Sequence, residues 1–228
     1  MRKIAPYFLA LSLVFASCSS NEGEVIENNK PGQKLLTSYT LKRDGSGAYS
    51  VDFDVNNNTE VATFKGKNNS NDILLSESST PTKRSYSNEY AIENDQLQIG
   101  FIENNSGRKR RITVTDDNIT FAKGTVTEFL NSYSITSNED NTYQLDFKVN
   151  EDVQTEFIYN EDIETYEIHL SKGEAKQQSF SRHFESLNSG VLKINFVNHK
   201  EVVAKTEESS ETGRKPRIVI TDGGDFGD

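Results

Sequence analysis

The chain of 228 residues carries 35 acidic and 25 basic residues, a formal net charge of −10, and its mean hydropathy is −0.68. This acidic balance argues against non-specific binding to nucleic acids, whose phosphates repel a negative surface. A single cysteine permits no disulfide within the chain. Stability must therefore come from a hydrophobic core.

The first residues have the pattern of a secretory signal peptide. Met1-Arg2-Lys3 gives a positive start, positions 4–15 form an apolar run, and Ala16-Ser17-Cys18 offers small residues for cleavage. The apolar run is too short to cross a bilayer core of about 30 Å as a helix. We therefore predict that residues 1–17 are a signal peptide.

Phe15-Ala16-Ser17-Cys18 resembles the lipobox of type II signal peptides in bacterial lipoproteins, although that family prefers Leu where Phe15 stands. The resemblance implies that Cys18 becomes the lipidated N-terminus, carrying palmitate among its acyl chains. Several acyl chains anchor a protein without a transmembrane helix. The expected location is the outer membrane, and the alternative is an ordinary secretory peptide.

Residues 18–34 are polar and weakly acidic, and we expect them to form a flexible tether. Glu22 and Glu24 are similar to a dilute form of the acidic signal that sends lipoproteins of Bacteroidota to the cell surface. The resemblance leaves two orientations of the anchor, facing the cell exterior or facing the periplasm.

The body of the chain contains an internal repeat. Positions 38–56 align without a gap with positions 132–150, 94 residues further along. We predict a first β repeat at 35–117, a packed connector at 118–130, a second β repeat at 131–223 and a tail at 224–228. The copies form either two tandem domains or one sheet system with a common core.

Apolar residues recur at every second position in both copies, which is typical of half-buried strands. Turn residues separate these runs, as in Asp44-Gly45-Ser46-Gly47. We predict an all-β fold, a sandwich or partial barrel, in which each copy has six or seven short antiparallel strands joined mainly by hairpins. The predicted core consists of Tyr49, Val51, Phe53, Val55, Ile73, Leu75, Leu97, Ile99, Phe101, Ile112, Val114, Tyr143, Leu145, Phe147, Val149, Ile168, Leu170, Leu192, Ile194, Phe196, Ile218 and Ile220.

Two basic clusters precede equivalent strands and are candidates for binding phosphate, sulfate or carboxylate groups. Alternatively, their side chains pair with carboxylates such as Asp52 and Asp146, or protect an edge strand from aggregation. The proline at 216 also favours an edge or the start of a strand. The candidate anion-binding residues are Arg108, Lys109, Arg111, Arg214, Lys215 and Arg217.

Two further surfaces have both a functional and a structural interpretation. Ser85-Tyr86-Ser87 and Ser179-Phe180-Ser181 place aromatic rings that either contact a ligand or belong to the core. The connection at about 199–213 is longer than its counterpart at 104–107, which suits either a binding loop or a tolerated insertion.

We predict no cofactor, no metal site and no catalytic residue. The three histidines lack the close spacing of zinc ligands, and no nucleophile elbow or phosphate-binding glycine loop occurs. The expected function is a lipid-anchored binding protein of the envelope or cell surface, for a glycan, an anionic envelope component or a protein. A periplasm-facing structural or assembly lipoprotein is the alternative, and a hydrolase is a remote one.

Overall fold

The chain folds into an all-β sandwich of two sheets, as the sequence predicted. The computed structural model describes residues 33–116, 129–138, 140, 142–174, 177–185, 190–199 and 216–222. The predicted signal peptide, most of the tether and most of the connector lie outside these residues. No helix in the described part is long and apolar enough to cross a membrane.

Each copy contributes seven of the described strands. In the first copy, a 3-10 turn (Lys67–Asn69) joins the third strand to the fourth. The first copy contains β1 (Leu36–Arg43), β2 (Tyr49–Val55), β3 (Thr59–Lys65), β4 (Asn71–Glu77), β5 (Ser85–Tyr90), β6 (Gln96–Glu103) and β7 (Lys109–Thr115). The second contains β8 (Leu130–Ser137), β9 (Tyr143–Val149), β10 (Val153–Asn160), β11 (Thr165–Lys172), β12 (Ser179–Phe184), β13 (Val191–His199) and β14 (Arg217–Asp222).

Both sheets contain strands from both copies. The six-stranded sheet has the order β12-β9-β8-β1-β2-β5, and the eight-stranded sheet has the order β10-β11-β13-β14-β7-β6-β4-β3. The copies meet where β1 pairs with β8 and where β7 pairs with β14, both antiparallel. Of the two arrangements that the sequence left open, the structure therefore has one sheet system with a common core.

The pairing register relates the copies by an approximate twofold axis. Leu41 pairs with Ile135, its own equivalent in the second copy. In the other sheet, Thr113 likewise pairs with its equivalent, Val219. Because a residue that pairs with its own equivalent lies on the symmetry axis, the axis passes through the middle of both sheets.

The strand connections differ from the prediction in two ways. β4 pairs with β6 in parallel, and β11 pairs with β13 in parallel, so the units are not wholly antiparallel. The reason is that β5 and β12, which lie between these strands in the chain, belong to the six-stranded sheet, where they pair with β2 and β9. Only part of the connections are therefore hairpins, and the rest cross between sheets.

All of the predicted core residues are buried, and they form one cluster between the sheets. The same aromatic contacts occur in both copies. The ring centroids of Phe53 and Phe101 lie 5.3 Å apart in an edge-to-face arrangement. Their equivalents Phe147 and Phe196 lie 5.4 Å apart in the same arrangement. Such pairs add stability beyond the burial of their area.

We predict that the two copies unfold as one unit. Phe101→Ala and Phe196→Ala should each lower the free energy of unfolding by about 3–5 kcal/mol, because each leaves a cavity in the common core. Each should shift one transition in scanning calorimetry, with equal calorimetric and van't Hoff enthalpies. The exposed Phe64→Ala should change stability by less than about 0.5 kcal/mol. Two transitions, of which each variant moves only one, would contradict a shared core.

Candidate functional site

A wide cavity lies over the outer face of the six-stranded sheet. It is an open cleft of about 1050 Å³, which we call the outer cleft. Its outward-facing side chains come from all six strands of this sheet, so the cleft spans both copies. Among them are Lys42, Ser50, Glu89, Ser134, Asp146 and Ser181.

Hydrogen bonds hold the polar side chains of this face in a network. Asp52 accepts hydrogen bonds from Lys42 and from Ser87, the latter at 2.6 Å. Asp146 accepts one from Ser181 at 2.5 Å. Hydrogen bonds from Lys42 and Ser87 lower the pKa of Asp52. The face thus offers fixed hydroxyl, carboxylate and ammonium groups of both charge signs.

A smaller depression of about 290 Å³ on the same face repeats part of the outer cleft. Its ten lining residues are Lys83 and positions 38–40, 52–54 and 85–87. The equivalent positions, Gln177 with 132–134, 146–148 and 179–181, all line the outer cleft. The outer cleft is larger because the turn at 44–48 and positions 89–92 of the first copy extend it.

The first basic cluster is divided between the two faces of its sheet. Arg110 points into the sandwich, where it donates to Asp222 at 2.5 Å. Arg108 donates to both oxygens of Asp222, at 3.0 and 2.8 Å. These arginines thus pair with a carboxylate of the neighbouring strand, as the structural alternative expected, but Asp52 and Asp146 were the wrong examples because they lie on the other sheet and the partner is Asp222 of β14.

The suggestion that the basic clusters protect an edge strand was also wrong. β7 and β14 lie in the middle of the eight-stranded sheet, whose edges are β3 and β10. Lys109 and Arg111 are half-buried and Arg217 is exposed, all facing away from the core. Arg214 and Lys215 lie outside the described residues. Of the long connection at about 199–213, only His199 is described.

The carboxylates of Asp116 and of its second-copy equivalent, Asp222, both have buried side chains but are neutralised differently. In the first copy, Asp116 accepts from Arg43 at 3.1 Å and from Tyr49 at 2.7 Å. In the second copy, Ser137 stands at the position equivalent to Arg43, and Arg110 of the first copy supplies the guanidinium to Asp222. Both buried carboxylates consequently depend on arginines of the first copy.

The serine-flanked aromatic residues belong to the core, in agreement with their structural interpretation. Tyr86 stacks on Phe53 with ring centroids 5.1 Å apart, and Phe180 stacks on Phe147 at 4.9 Å. Their flanking serines point outward. Phe180 and its flanking serines also line the outer cleft, and Tyr86 and its flanking serines line the smaller depression.

The structure brings together two of the three histidines, which the sequence spacing had not indicated. Nδ1 of His169 and Nε2 of His199 lie 2.6 Å apart, and Glu167 lies 3.1 Å from Nε2 of His169. The parallel pairing of β11 with β13 causes this, because it places positions 30 residues apart side by side. In the described ranges, no group of three His, Cys, Asp or Glu residues is arranged to hold a metal ion.

We predict that the Asp222 ion pair stabilises the fold in a pH-dependent way. Burial alone would raise the pKa of Asp222, but hydrogen bonds and charges from Arg110 and Arg108 outweigh it and lower the pKa below the usual 3.8. This stabilisation is therefore complete above about pH 4 and is lost as the pH falls through the lowered value. Asp222→Asn should cost about 3 kcal/mol at pH 7 in urea unfolding, because it leaves buried arginine charge uncompensated.

The matched control for Asp222 is Asp52→Asn, which removes the carboxylate of an exposed ion pair with Lys42. Exposed pairs contribute about 0–1 kcal/mol, so this variant should stay close to the parent. At pH 2.5 the difference between Asp222→Asn and the parent should shrink. An equal cost at both pH values would contradict the assigned role of the carboxylate.

No family model matches the chain, and neither curated proteins nor solved structures gave a match to it. The functional conclusion therefore depends on the chain's own geometry. In that geometry, the outer cleft is larger than either the depression lined by Lys83 on the same face or the cavity beside Gly100 on the other sheet.

Proposed function

We propose that the chain is a lipid-anchored binding protein of the bacterial envelope and that its ligand lies in the outer cleft. The size of the cleft carries this proposal, since about 1050 Å³ accommodates several units of a polymer. The N-terminal resemblance to lipoproteins supports the anchor, and the acidic surface argues against nucleic acid. The proposed activity is binding without catalysis.

A neutral or weakly charged glycan suits the cleft best. Its lining combines basic Lys42 with acidic Glu89 and Asp146, so no single charge sign dominates these groups. Serine hydroxyls and the hydrogen-bonded carboxylate of Asp146 provide donors and acceptors at fixed positions, which matches the many hydroxyl groups of a sugar chain. Preorganised polar groups lower the entropy that binding costs.

A second candidate function is a periplasm-facing scaffold, favoured by the apolar side chains near the β10 edge. Ile158, Tyr159 and Ile163 are 39, 42 and 47% exposed. An edge strand also presents unpaired backbone groups to a partner protein. In this alternative, the second copy enlarges the contact surface.

Substitution of Ser50 tests whether the outer cleft binds glycan. Ser50 lines the cleft from β2, whereas its equivalent in the second copy, Gln144, does not. Ser50→Arg should weaken binding at least about tenfold, because the long side chain occupies part of the cleft that the ligand needs, and Gln144→Arg should not. Affinity gel electrophoresis of residues 19–228 in dextran, mannan and galactan gels measures the effect. Retardation by none of these polymers, or equal retardation of both variants, would contradict the proposal.

Replacement of Cys18 tests the anchor. Cys18→Ala should abolish incorporation of radiolabelled palmitate and release the protein from the membrane fraction, because the acyl chains are attached there. In intact cells, digestion of the parent protein by a non-penetrating protease would favour the surface-binding function. Protection until lysis would favour the periplasmic scaffold. A variant that stays in the membrane fraction would contradict lipid anchoring at Cys18.

A further inference from the structure

The outer face of the eight-stranded sheet contains a gap in one row of side chains. Across four strands, Phe64 pairs with Asp72, Asp72 with Gly100, and Gly100 with Arg111. All four positions face away from the core. Because Gly100 has no side chain, it forms the floor of a cavity of about 280 Å³, which we call the Gly100 cavity. Lys109 also lines it.

The carboxylate of Asp72 leans over this glycine floor. A Cβ atom at position 100 would lie 2.5 Å from Oδ1 of Asp72, and one at Gly66 would overlap Oδ2. The two glycines thus make room for the carboxylate. Asp72 is only 9% exposed, and its Oδ1 is buried without a hydrogen-bond partner in the described structure.

An unsatisfied buried carboxylate oxygen is costly and calls for a specific explanation. A stabilising role within the fold does not explain it, because no hydrogen bond compensates Oδ1. A ligand that donates a hydrogen bond to Asp72 supplies the missing partner.

The second copy provides an internal comparison, because there the same row is filled. Ile158, Glu167, Asn195 and Arg217 occupy the equivalent positions and pair in the same order. Asn195 replaces the glycine floor, and Glu167 lies 3.1 Å from Nε2 of His169. The basic residue is kept in both copies, whereas the glycine and the unpartnered aspartate occur in the first copy alone.

The lining of the Gly100 cavity defines the chemistry of its ligand. Asp72 accepts hydrogen bonds, Lys109 and Arg111 attract an anionic group, and the 46% exposed ring of Phe64 offers an apolar surface. We propose that the cavity binds one acidic monosaccharide unit. Ring hydroxyls donate to Asp72, the carboxylate lies against Lys109 and Arg111, and an apolar ring face packs on Phe64. This site is separate from the outer cleft, which lies on the other sheet.

Titration with D-glucuronate tests the proposal directly. In the ¹⁵N-labelled chain of residues 19–228, the amide signals of Gly100 and Gly66 should shift saturably, because both glycines border the Asp72 carboxylate. D-glucose and glycine, at equal concentration, should leave them unshifted. Gly100→Asn, which copies the second repeat, and Arg111→Ala should each weaken glucuronate binding at least about tenfold.

A matched variant in the second copy separates a site from a general effect of charge. Arg217→Ala removes the equivalent basic residue beside a filled row and should leave glucuronate affinity unchanged. Gly100→Asn should keep the folded spectrum away from the cavity, which shows that lost binding is not lost folding. No saturable shift with glucuronate, equal binding of glucose or glycine, or full affinity in Gly100→Asn would each overturn the proposal. Binding of polysaccharide in the outer cleft is measured separately, by gel electrophoresis. Failure of one proposal can therefore be distinguished from failure of the other.

Discussion

The cross-copy pairing of strands is the constraint on which the rest of this structure depends. β1 and β8 join the copies in one sheet, and β7 and β14 join them in the other. Each copy taken alone would supply half of each sheet and expose the edges of those strands to water. The core between the sheets is continuous, so neither copy encloses its own apolar residues completely. Duplication therefore produced one domain rather than two.

Within this common sandwich, the two copies differ at several equivalent positions. The first copy supplies the arginines for the carboxylates of Asp116 and Asp222, since Ser137 and Pro216 stand where the second copy would need them. The turn at 44–48 widens one of two related depressions into the outer cleft. A glycine opens a cavity on the opposite sheet in the first copy, whereas Asn195 fills its equivalent. The two proposed binding sites thus lie where the copies differ, and the core lies where they agree.

Much of the fold could be predicted from the sequence because alternation and turn chemistry are local signals. The strands and the core residues follow from period-two patterns such as Tyr49 to Val55. The parallel pairs could not be predicted, because they depend on β5 and β12 changing sheets. The sites were harder still, since Asp72, Gly100 and Arg111 come from three strands that only register brings together. Lys109 and Arg111 were identified as anion-binding candidates by charge, but Asp222 as the partner of Arg108 was not.

The most direct measurement is the solution state of the first copy alone, residues 33–116. If the shared core is essential, this fragment forms no folded monomer. Size-exclusion chromatography with light scattering and circular dichroism should find either an unfolded chain or a dimer that pairs β1 with β1 and β7 with β7. The chain of residues 33–222 should be a folded monomer under the same conditions. A compact, cooperatively unfolding monomer of residues 33–116 would contradict the account.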